Sequence, residues 1–207
     1  MTSQIENIIK EYPPKPLGVT KQYAVLLPLI WQDNDWQVLY EIRSQHISQP
    51  GEVSFPGGRL EEGESYQEAA IRETIEELNI KDQQIKIWGE IDYIVQNKRS
   101  IHCFVGQLMV SDWREIKANE EVDNIFTVPL QSLMTDNPNY YDLPSTITKE
   151  SNFPFDKIRN GDKYSFESQK QSIPFYENFD YLIWGMTAQF TDCFTRILKE
   201  STYFKFK

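Results

Sequence analysis

The chain has 207 residues and a formal net charge of −10, and 40% of its residues are hydrophobic. This length and composition predict one folded domain and argue against general disorder. The acidic balance argues against nucleic acid as a partner, because contacts to a phosphate backbone require clustered Lys and Arg. The longest apolar run, 24–31, falls far short of the roughly 20 residues that span a bilayer, so we expect no membrane helix.

Residues 1–21 are predicted to form an N-terminal extension, and residues 22–207 a single domain. The first 16 residues lack the basic-then-apolar order of a signal peptide, which predicts a cytoplasmic protein. The two cysteines, Cys103 and Cys193, are too few for a disulfide framework or a cysteine-based metal site. We therefore expect the function to depend on other side chains.

Five apolar runs bounded by turn residues predict β-strands, at 22–31, 36–43, 85–95, 100–110 and 122–128. The first two strands are predicted to form a hairpin around the turn residues 32–35. The segment 52–55 is a short extended piece before Pro56. Gly57-Gly58 then predicts a turn, which precedes an α-helix over 65–78.

The second half of the chain carries weaker patterns. Pro129 favours the start of a short helix, and the stretch 135–160, rich in Asn, Asp, Pro and Ser, predicts an irregular excursion. Further strands are predicted at 163–167 and 181–184, followed by a closing amphipathic helix over 187–199. Mixed strands with two substantial helices predict an α/β sandwich.

The helix over 65–78 has well-marked ends. Ser65 and Glu68 have the spacing of a capping box, and Asn79 suits the left-handed conformation that often ends a helix. At about 100° per residue, the helix has two contrasting faces. The predicted packing face comprises Ala70, Ile71, Thr74, Ile75 and Leu78, and the opposite face comprises Glu73, Glu76 and Glu77.

The three glutamates have two interpretations. Charged helix faces are usually just solvated. Like charges three or four residues apart, however, repel by roughly 0.2–0.5 kcal/mol per pair. The glycines at 57 and 58 also let a backbone approach a ligand without a Cβ in the way. Because a divalent metal ion among the carboxylates would relieve the repulsion, we predict a metal-dependent enzyme.

With these residues assembled, the segment 58–80 resembles the Nudix box, G-x5-E-x7-R-E-U-x-E-E-x-G-U, in which U is a bulky aliphatic residue. The matching positions are Gly58, Glu64, Arg72, Glu73, Glu76, Glu77 and Ile80. Thr74 and Asn79 depart from the pattern, where an aliphatic residue and a glycine are usual. The resemblance implies a Nudix α/β/α sandwich with a central mixed β-sheet.

A narrower resemblance, to the coenzyme A pyrophosphatase branch of Nudix hydrolases, extends beyond the box. It rests on Arg43-Ser44 and 50–58 upstream, and on 173–175 and 183–188 towards the C-terminus. Ser48 departs from this branch, which usually has an arginine at that place.

The resemblance also implies roles for individual residues. The metal ion, Mg²⁺ or Mn²⁺, is expected to bind Glu73, Glu76, Glu77 and a carbonyl of Gly58. Catalytic roles are expected for Glu76, Glu77, Arg72 and Glu121. Arg72 would orient a carboxylate, and the general base is left open between a box glutamate and the loop acids Glu120 and Glu121. Substrate contacts are expected from Arg43, Arg59, Gly57 and Gly58.

By the same resemblance the chain is expected to hydrolyse the diphosphate linkage of a small nucleoside-diphosphate derivative. The first candidate is coenzyme A or acyl-CoA, cleaved to 4′-phosphopantetheine, or its acyl form, and adenosine 3′,5′-bisphosphate. The alternative is ADP-ribose, another nucleotide-sugar or a dinucleotide, and the third hypothesis is a non-catalytic nucleotide-binding domain. A homodimer stays open, because the aromatic C-terminus 203–207 is either an interface or a frayed end.

Overall fold

The computed structural model describes residues 2–144, 152–164 and 170–202. Within these ranges the strands are β1 Lys21–Gln32, β2 Asp35–Arg43, β3 Val53–Ser54, β4 Gly57–Arg59, β5 Ile85–Gln96, β6 Arg99–Leu108, β7 Val122–Pro129, β8 Asn139–Pro144, β9 Lys170–Tyr176 and β10 Ile183–Trp184. The α-helices of the same ranges are α1 Thr2–Glu11, α2 Tyr66–Leu78, α3 Leu130–Thr135 and α4 Gly185–Glu200.

Strand β1 lies at the centre of a seven-stranded sheet. It pairs antiparallel with β2 and β4 and parallel with β6. Strand β5 pairs antiparallel with β6, and both β3 and β7 pair antiparallel with β2. The sheet is therefore mixed, as predicted. A separate antiparallel sheet has the strand order β10-β9-β8.

Helices cover both faces of the seven-stranded sheet. Because successive side chains of a strand point to opposite faces, β2 contributes to two buried clusters. Leu39 packs in one cluster with Ala69, Ala70 and Leu78 of α2. Tyr40 packs in the other cluster, together with apolar side chains of α3 and α4. The predicted α/β/α sandwich with a central mixed β-sheet is confirmed.

The predicted hairpin between β1 and β2 is present. Asp33 and Asn34 in its turn have positive φ angles of 55° and 61°. Positive φ at both central residues is the geometry of a type I′ turn, whose twist matches that of the flanking strands, and Asp and Asn tolerate it better than most residues. This turn sets the register that directs Leu39 towards α2.

Helix α2 begins and ends where the sequence predicts. The Ser65 hydroxyl accepts a hydrogen bond from the backbone N–H of Glu68, and the Glu68 carboxylate accepts one from the Ser65 N–H, which completes the capping box. Asn79 closes the helix in the left-handed conformation, with φ at 50°. Its side-chain amide donates to the backbone carbonyl of Lys117 at 2.9 Å, which attaches the helix end to the loop before β7.

The predicted division of α2 into an apolar face and an acidic face is wrong at three positions. Glu77, predicted on the outer face, is buried against the sheet, whereas Ile71 and Ile75, predicted on the packing face, are only partly buried. Ala69 is fully buried instead. The helix is thus rotated so that its last glutamate enters the interface with the sheet.

Two further predictions about local structure are corrected. Gly57-Gly58 is the start of β4 rather than a free turn, because Gly57 and Gly58 pair with Val25 and Ala24 of β1. The stretch predicted as irregular contains β8, which pairs with β9, and its residues 145–151 lie outside the described ranges.

The strand predicted at 163–167 is also misplaced. Residues 161–163 form a 3-10 turn, residues 165–169 lie outside the described ranges, and the strand begins at Lys170. The strand predicted at 181–184 is shorter, and the closing helix begins at Gly185, two residues before the predicted start.

The N-terminal extension contains a helix, α1, that the sequence did not predict. Its side chains Ile5, Ile8 and Ile9 are exposed. The division into residues 1–21 and 22–207 stays a prediction, and the aromatic C-terminus 203–207 lies outside the described ranges. None of the helices in the described ranges has the length and apolar character needed to cross a membrane.

Candidate metal and active site

The carboxylates of α2 lie directly against the backbone of β4. The N–H of Gly57 donates a hydrogen bond to Oε2 of Glu77 at 2.8 Å. At Gly58, a Cβ atom would overlap the carboxylate of Glu73. Gly58 therefore leaves room for the carboxylate of Glu73, whereas a side chain at Gly57 would collide with the backbone of β1.

Glu77 is the most buried of the three box glutamates, with 6% of the residue exposed. The pKa of its carboxyl is raised to about 8, chiefly because burial penalises the charged form. The negative charges of Glu73 and Glu121 also raise it, whereas the Gly57 N–H and Arg43 oppose the rise. A cation beside this carboxylate would favour its charged form.

Glu73 and Glu76 lie progressively nearer to solvent. The side chain of Glu73 is 19% exposed and that of Glu76 is 55% exposed. Burial raises the pKa of Glu73, and its ion pair with Arg72 opposes part of that rise. The three box glutamates thus lead from the sheet interface outward, so a ligand that approaches from solvent meets carboxylate oxygens at each depth.

Arg72 connects the carboxylates to one another. Its Nε and Nη2 donate to the two oxygens of Glu64 at 2.9 and 3.1 Å, and its Nη1 lies 3.0 Å from Glu73 and 3.3 Å from Glu76. Nη2 also donates to the backbone carbonyl of Arg59 at 3.0 Å. These bonds raise the pKa of Arg72 and lower that of Glu64. Such contacts suit the predicted orienting role, because a planar guanidinium holds several carboxylates in fixed directions.

Among the loop acids, the charge of Glu121 reaches the site. It contributes to the raised pKa values of Glu73 and Glu77. Its backbone carbonyl accepts a hydrogen bond from the Ser44 N–H at 2.9 Å, and its side chain is exposed. Glu120 is exposed as well. The side chain of Glu121 is thus open to water while its charge acts on Glu73 and Glu77, and its role as a base stays a prediction.

The two arginines predicted to bind substrate have different surroundings. Nε of Arg43 donates to the backbone carbonyl of Ser48 at 2.8 Å, and Nη2 lies 3.4 Å from the Ser48 hydroxyl. Arg43 therefore supports the loop between β2 and β3. Arg59 is exposed at the end of β4, next to the glycine pair. Its side chain is the more accessible of the two to a ligand, and both roles stay predictions.

Glu41 is a site residue that the sequence reasoning missed. It lies in the middle of β2 and is 2% exposed, and its Oε1 has no hydrogen-bond partner among the described residues. Its pKa is raised well above the ordinary value, first by burial and next by the charge of Glu77. A single acid inside the otherwise apolar run 38–42 was the signal available in the sequence.

The donor set fits a divalent metal ion. Mg²⁺ and Mn²⁺ prefer carboxylate and carbonyl oxygens, and the carboxylates of Glu77 and Glu73 lie against the backbone of Gly57 and Gly58 here. The unpartnered oxygen of Glu41 adds an acceptor that protein groups do not satisfy. In the described ranges, no three His, Cys, Asp or Glu side chains already converge as a coordination shell.

A model of the NUDIX domain matches residues 20–146, which is more than half of the chain. The chain belongs to the NUDIX domain family. Nudix hydrolase 3 of Caenorhabditis elegans is 34% identical over 116 residues, which are 54% of this chain and 48% of that protein. This chain therefore spans about half the length of that relative.

Two further relatives cover more of the chain. The mouse protein named mitochondrial coenzyme A diphosphatase NUDT8 is 27% identical over 185 residues, or 87% of this chain and 79% of that protein. A crystal structure of a MutT/nudix family protein from Enterococcus faecalis has a TM-score of 0.51 at 10% identity and covers 96% of this chain and 70% of that one. The latter shows a shared fold alone. The predicted resemblance to the Nudix superfamily and its coenzyme A pyrophosphatase branch is confirmed.

The buried carboxyl of Glu77 predicts an unusual pH dependence of stability. Its pKa of about 8 in the folded protein lies above the ordinary value of 4.5, so folding favours the protonated form. That stabilisation is complete below about pH 4.5 and is lost as the pH rises through about 8. In the presence of EDTA, we expect the urea concentration at the unfolding midpoint to decrease as the pH is raised from 5 to 8.5. The decrease should be smaller in the Glu77→Gln variant. Equal slopes for the two proteins would contradict the assigned burial.

Proposed function

We propose that this Nudix protein hydrolyses the diphosphate linkage of a small nucleoside-diphosphate derivative and uses Mg²⁺ or Mn²⁺. The observation that carries the proposal is the position of Glu77. Its carboxylate is buried beside Glu73 and accepts a hydrogen bond from the β4 backbone. Uncompensated buried negative charge is costly, and a divalent ion is the partner that a diphosphate substrate also requires.

The residues of the site have separate tasks in this proposal. Glu73, Glu76, Glu77 and the Gly58 carbonyl hold the ion, while Arg72 keeps Glu73 and Glu76 in place through its guanidinium. The ion that these residues would hold would neutralise charge on the transferring phosphoryl group and make water easier to deprotonate. Glu121 accepts the proton of the attacking water, with a box glutamate as the alternative base. The water oxygen bonds to phosphorus as the bridging P–O bond breaks.

The first candidate substrate is coenzyme A or acyl-CoA. The mouse relative named as a coenzyme A diphosphatase covers 87% of the chain, and the motif around residues 50–58 resembles that branch. The products would be adenosine 3′,5′-bisphosphate and 4′-phosphopantetheine or its acyl form. Ser48 differs from the arginine usual in this branch, and its carbonyl accepts a hydrogen bond from Arg43 instead.

The binding partner and the cellular location are also part of the proposal. The partner is a small nucleoside-diphosphate substrate, and nucleic acid is disfavoured by the net charge of −10. A cytoplasmic location remains a prediction, since the name of the mouse relative places that protein in mitochondria. The homodimer likewise remains a prediction.

The test is a substrate panel with purified protein. Coenzyme A, acyl-CoA, ADP-ribose, NADH and dinucleoside polyphosphates are each incubated with Mg²⁺ or Mn²⁺, and the products are identified by mass spectrometry. We expect adenosine 3′,5′-bisphosphate from coenzyme A with metal and none with EDTA. Hydrolysis of ADP-ribose without hydrolysis of coenzyme A would contradict the assignment of coenzyme A as the substrate. Metal binding without hydrolysis of any diphosphate would support the nucleotide-binding alternative.

A further inference from the structure

Glu41 faces the same side of the sheet as the box glutamates. Its neighbour two residues earlier, Leu39, packs in the cluster formed with α2. Its partner across the strand pair, Ile125 of β7, belongs to the same cluster. Because side chains of one strand alternate between faces, Glu41 projects towards α2, where Glu77 is buried.

The surroundings of Glu41 do not satisfy its carboxylate. Its Oε1 is buried without a hydrogen-bond partner among the described residues. The charges that act on it come from Glu77, Arg43, Glu121 and Glu73, three of them negative. The one positive charge among them belongs to Arg43, whose Nε and Nη2 donate to Ser48. An acid that faces other acids in the interior therefore has no evident stabilising role in the protein alone.

An apolar residue of similar volume would pack at position 41 with less cost. Replacing buried charged groups by well-packed hydrophobic residues is often neutral or stabilising. On the same face of the sheet, the neighbours of Glu41 along the strand and across it are the buried apolar residues Leu39 and Ile125. A carboxylate here is thus explained more readily by a ligand than by the fold.

We propose that Glu41 supplies a further oxygen ligand to the divalent ion held by Glu73 and Glu77. The proposal rests on the metal dependence stated under the proposed function. Glu41 would approach the ion from the floor of the site on β2, while the box glutamates approach it from α2. The sheet and the helix would then be joined through the ion, which would fix the depth at which it sits.

The test measures Mn²⁺ affinity of the metal-free protein by calorimetric titration, independently of activity. Two variants remove the charge of Glu41. Glu41→Gln keeps the shape of the side chain, and Glu41→Met also removes its oxygen atoms. Glu200→Gln, exposed at the end of α4 on the opposite side of the sheet, is the matched control. We expect the Mn²⁺ dissociation constant to rise by about 10-fold or more in both Glu41 variants, and to stay unchanged in the control.

The melting temperature, measured with and without Mn²⁺, distinguishes a metal ligand from a purely structural role for Glu41. As a ligand, Glu41 can be replaced without lowering the melting temperature of the metal-free protein, while the upward shift that Mn²⁺ produces becomes smaller. Wild-type Mn²⁺ affinity in either folded variant would overturn the proposal and leave the proposed function intact. Weakened Mn²⁺ binding in both variants, with no diphosphate hydrolysed by the wild-type protein, would support Glu41 as a ligand and remove the proposed function.

Discussion

Glu77→Gln is expected to lower turnover of the diphosphate substrate by more than about 100-fold. Changes to groups that merely support metal ligands typically cost 10–100-fold, and the loss of a charged ligand should exceed that range. The amide oxygen of glutamine can still accept the Gly57 N–H, so the contact between α2 and β4 is retained. Steady-state kinetics at saturating Mg²⁺ or Mn²⁺ measure the effect.

The melting temperature of Glu77→Gln shows whether the loss of activity arises from unfolding. Because the substitution replaces a buried carboxyl, whose charged form burial penalises, with a neutral amide, the metal-free variant should melt at the same temperature as the wild type or higher. Glu200→Gln carries the same charge change at an exposed position and should leave turnover unchanged. Near-normal turnover in Glu77→Gln would exclude Glu77 as a metal ligand.

Gly57→Ala is expected to have the largest effect on stability, a loss of about 3 kcal/mol or more in the free energy of unfolding. A Cβ atom at this position would lie 2.6 Å from Cα of Val25 and would overlap the carbonyl oxygen of Ala24. Both are backbone atoms of β1, so no side-chain rotation relieves the clash. The φ angle of 155° is also one that residues with a side chain rarely adopt. Urea denaturation measures the loss.

Two other glycines provide matched controls for Gly57→Ala. At Gly89 a Cβ atom would meet no other atom within 4 Å and φ is not positive, so Gly89→Ala should change stability by less than about 0.5 kcal/mol. Gly63 also lies in open space but has a φ of 84°, so Gly63→Ala should show the backbone strain alone, about 1 kcal/mol. If Gly57→Ala lowered the free energy of unfolding no more than Gly63→Ala does, that result would contradict the close approach of β4 to β1.

Helix α2 was predictable because its signals are local. The capping box joins Ser65 to a residue three positions later, and Asn79 ends the helix through its own backbone conformation. The hairpin turn at Asp33 and Asn34 was predictable for the same reason. In each case the residues involved are only a few positions apart in the sequence. Their types and spacing therefore predict the local structure.

The second sheet was poorly predicted because its pairing is distant in sequence. Strand β8, Asn139–Pro144, pairs with β9, Lys170–Tyr176, and every residue of β8 is exposed. An exposed strand has no alternation of apolar and polar residues to reveal it. Its partner lies beyond the intervening segment, so turn chemistry could not indicate the pairing either.

By itself, the sequence determined the ends of α2, the spacing of its acids and the glycine pair before it, and these sufficed to indicate a Nudix site. Only the tertiary structure decided that Glu77 is buried, that Gly57 donates to it, and that Glu41 is buried on β2 where the charge of Glu77 acts on it. Helical phase within α2 fixes the angles between its side chains, but not how the helix is rotated on the sheet. That rotation depends on the buried cluster that α2 forms with strands of the sheet, whose residues lie far apart in the chain.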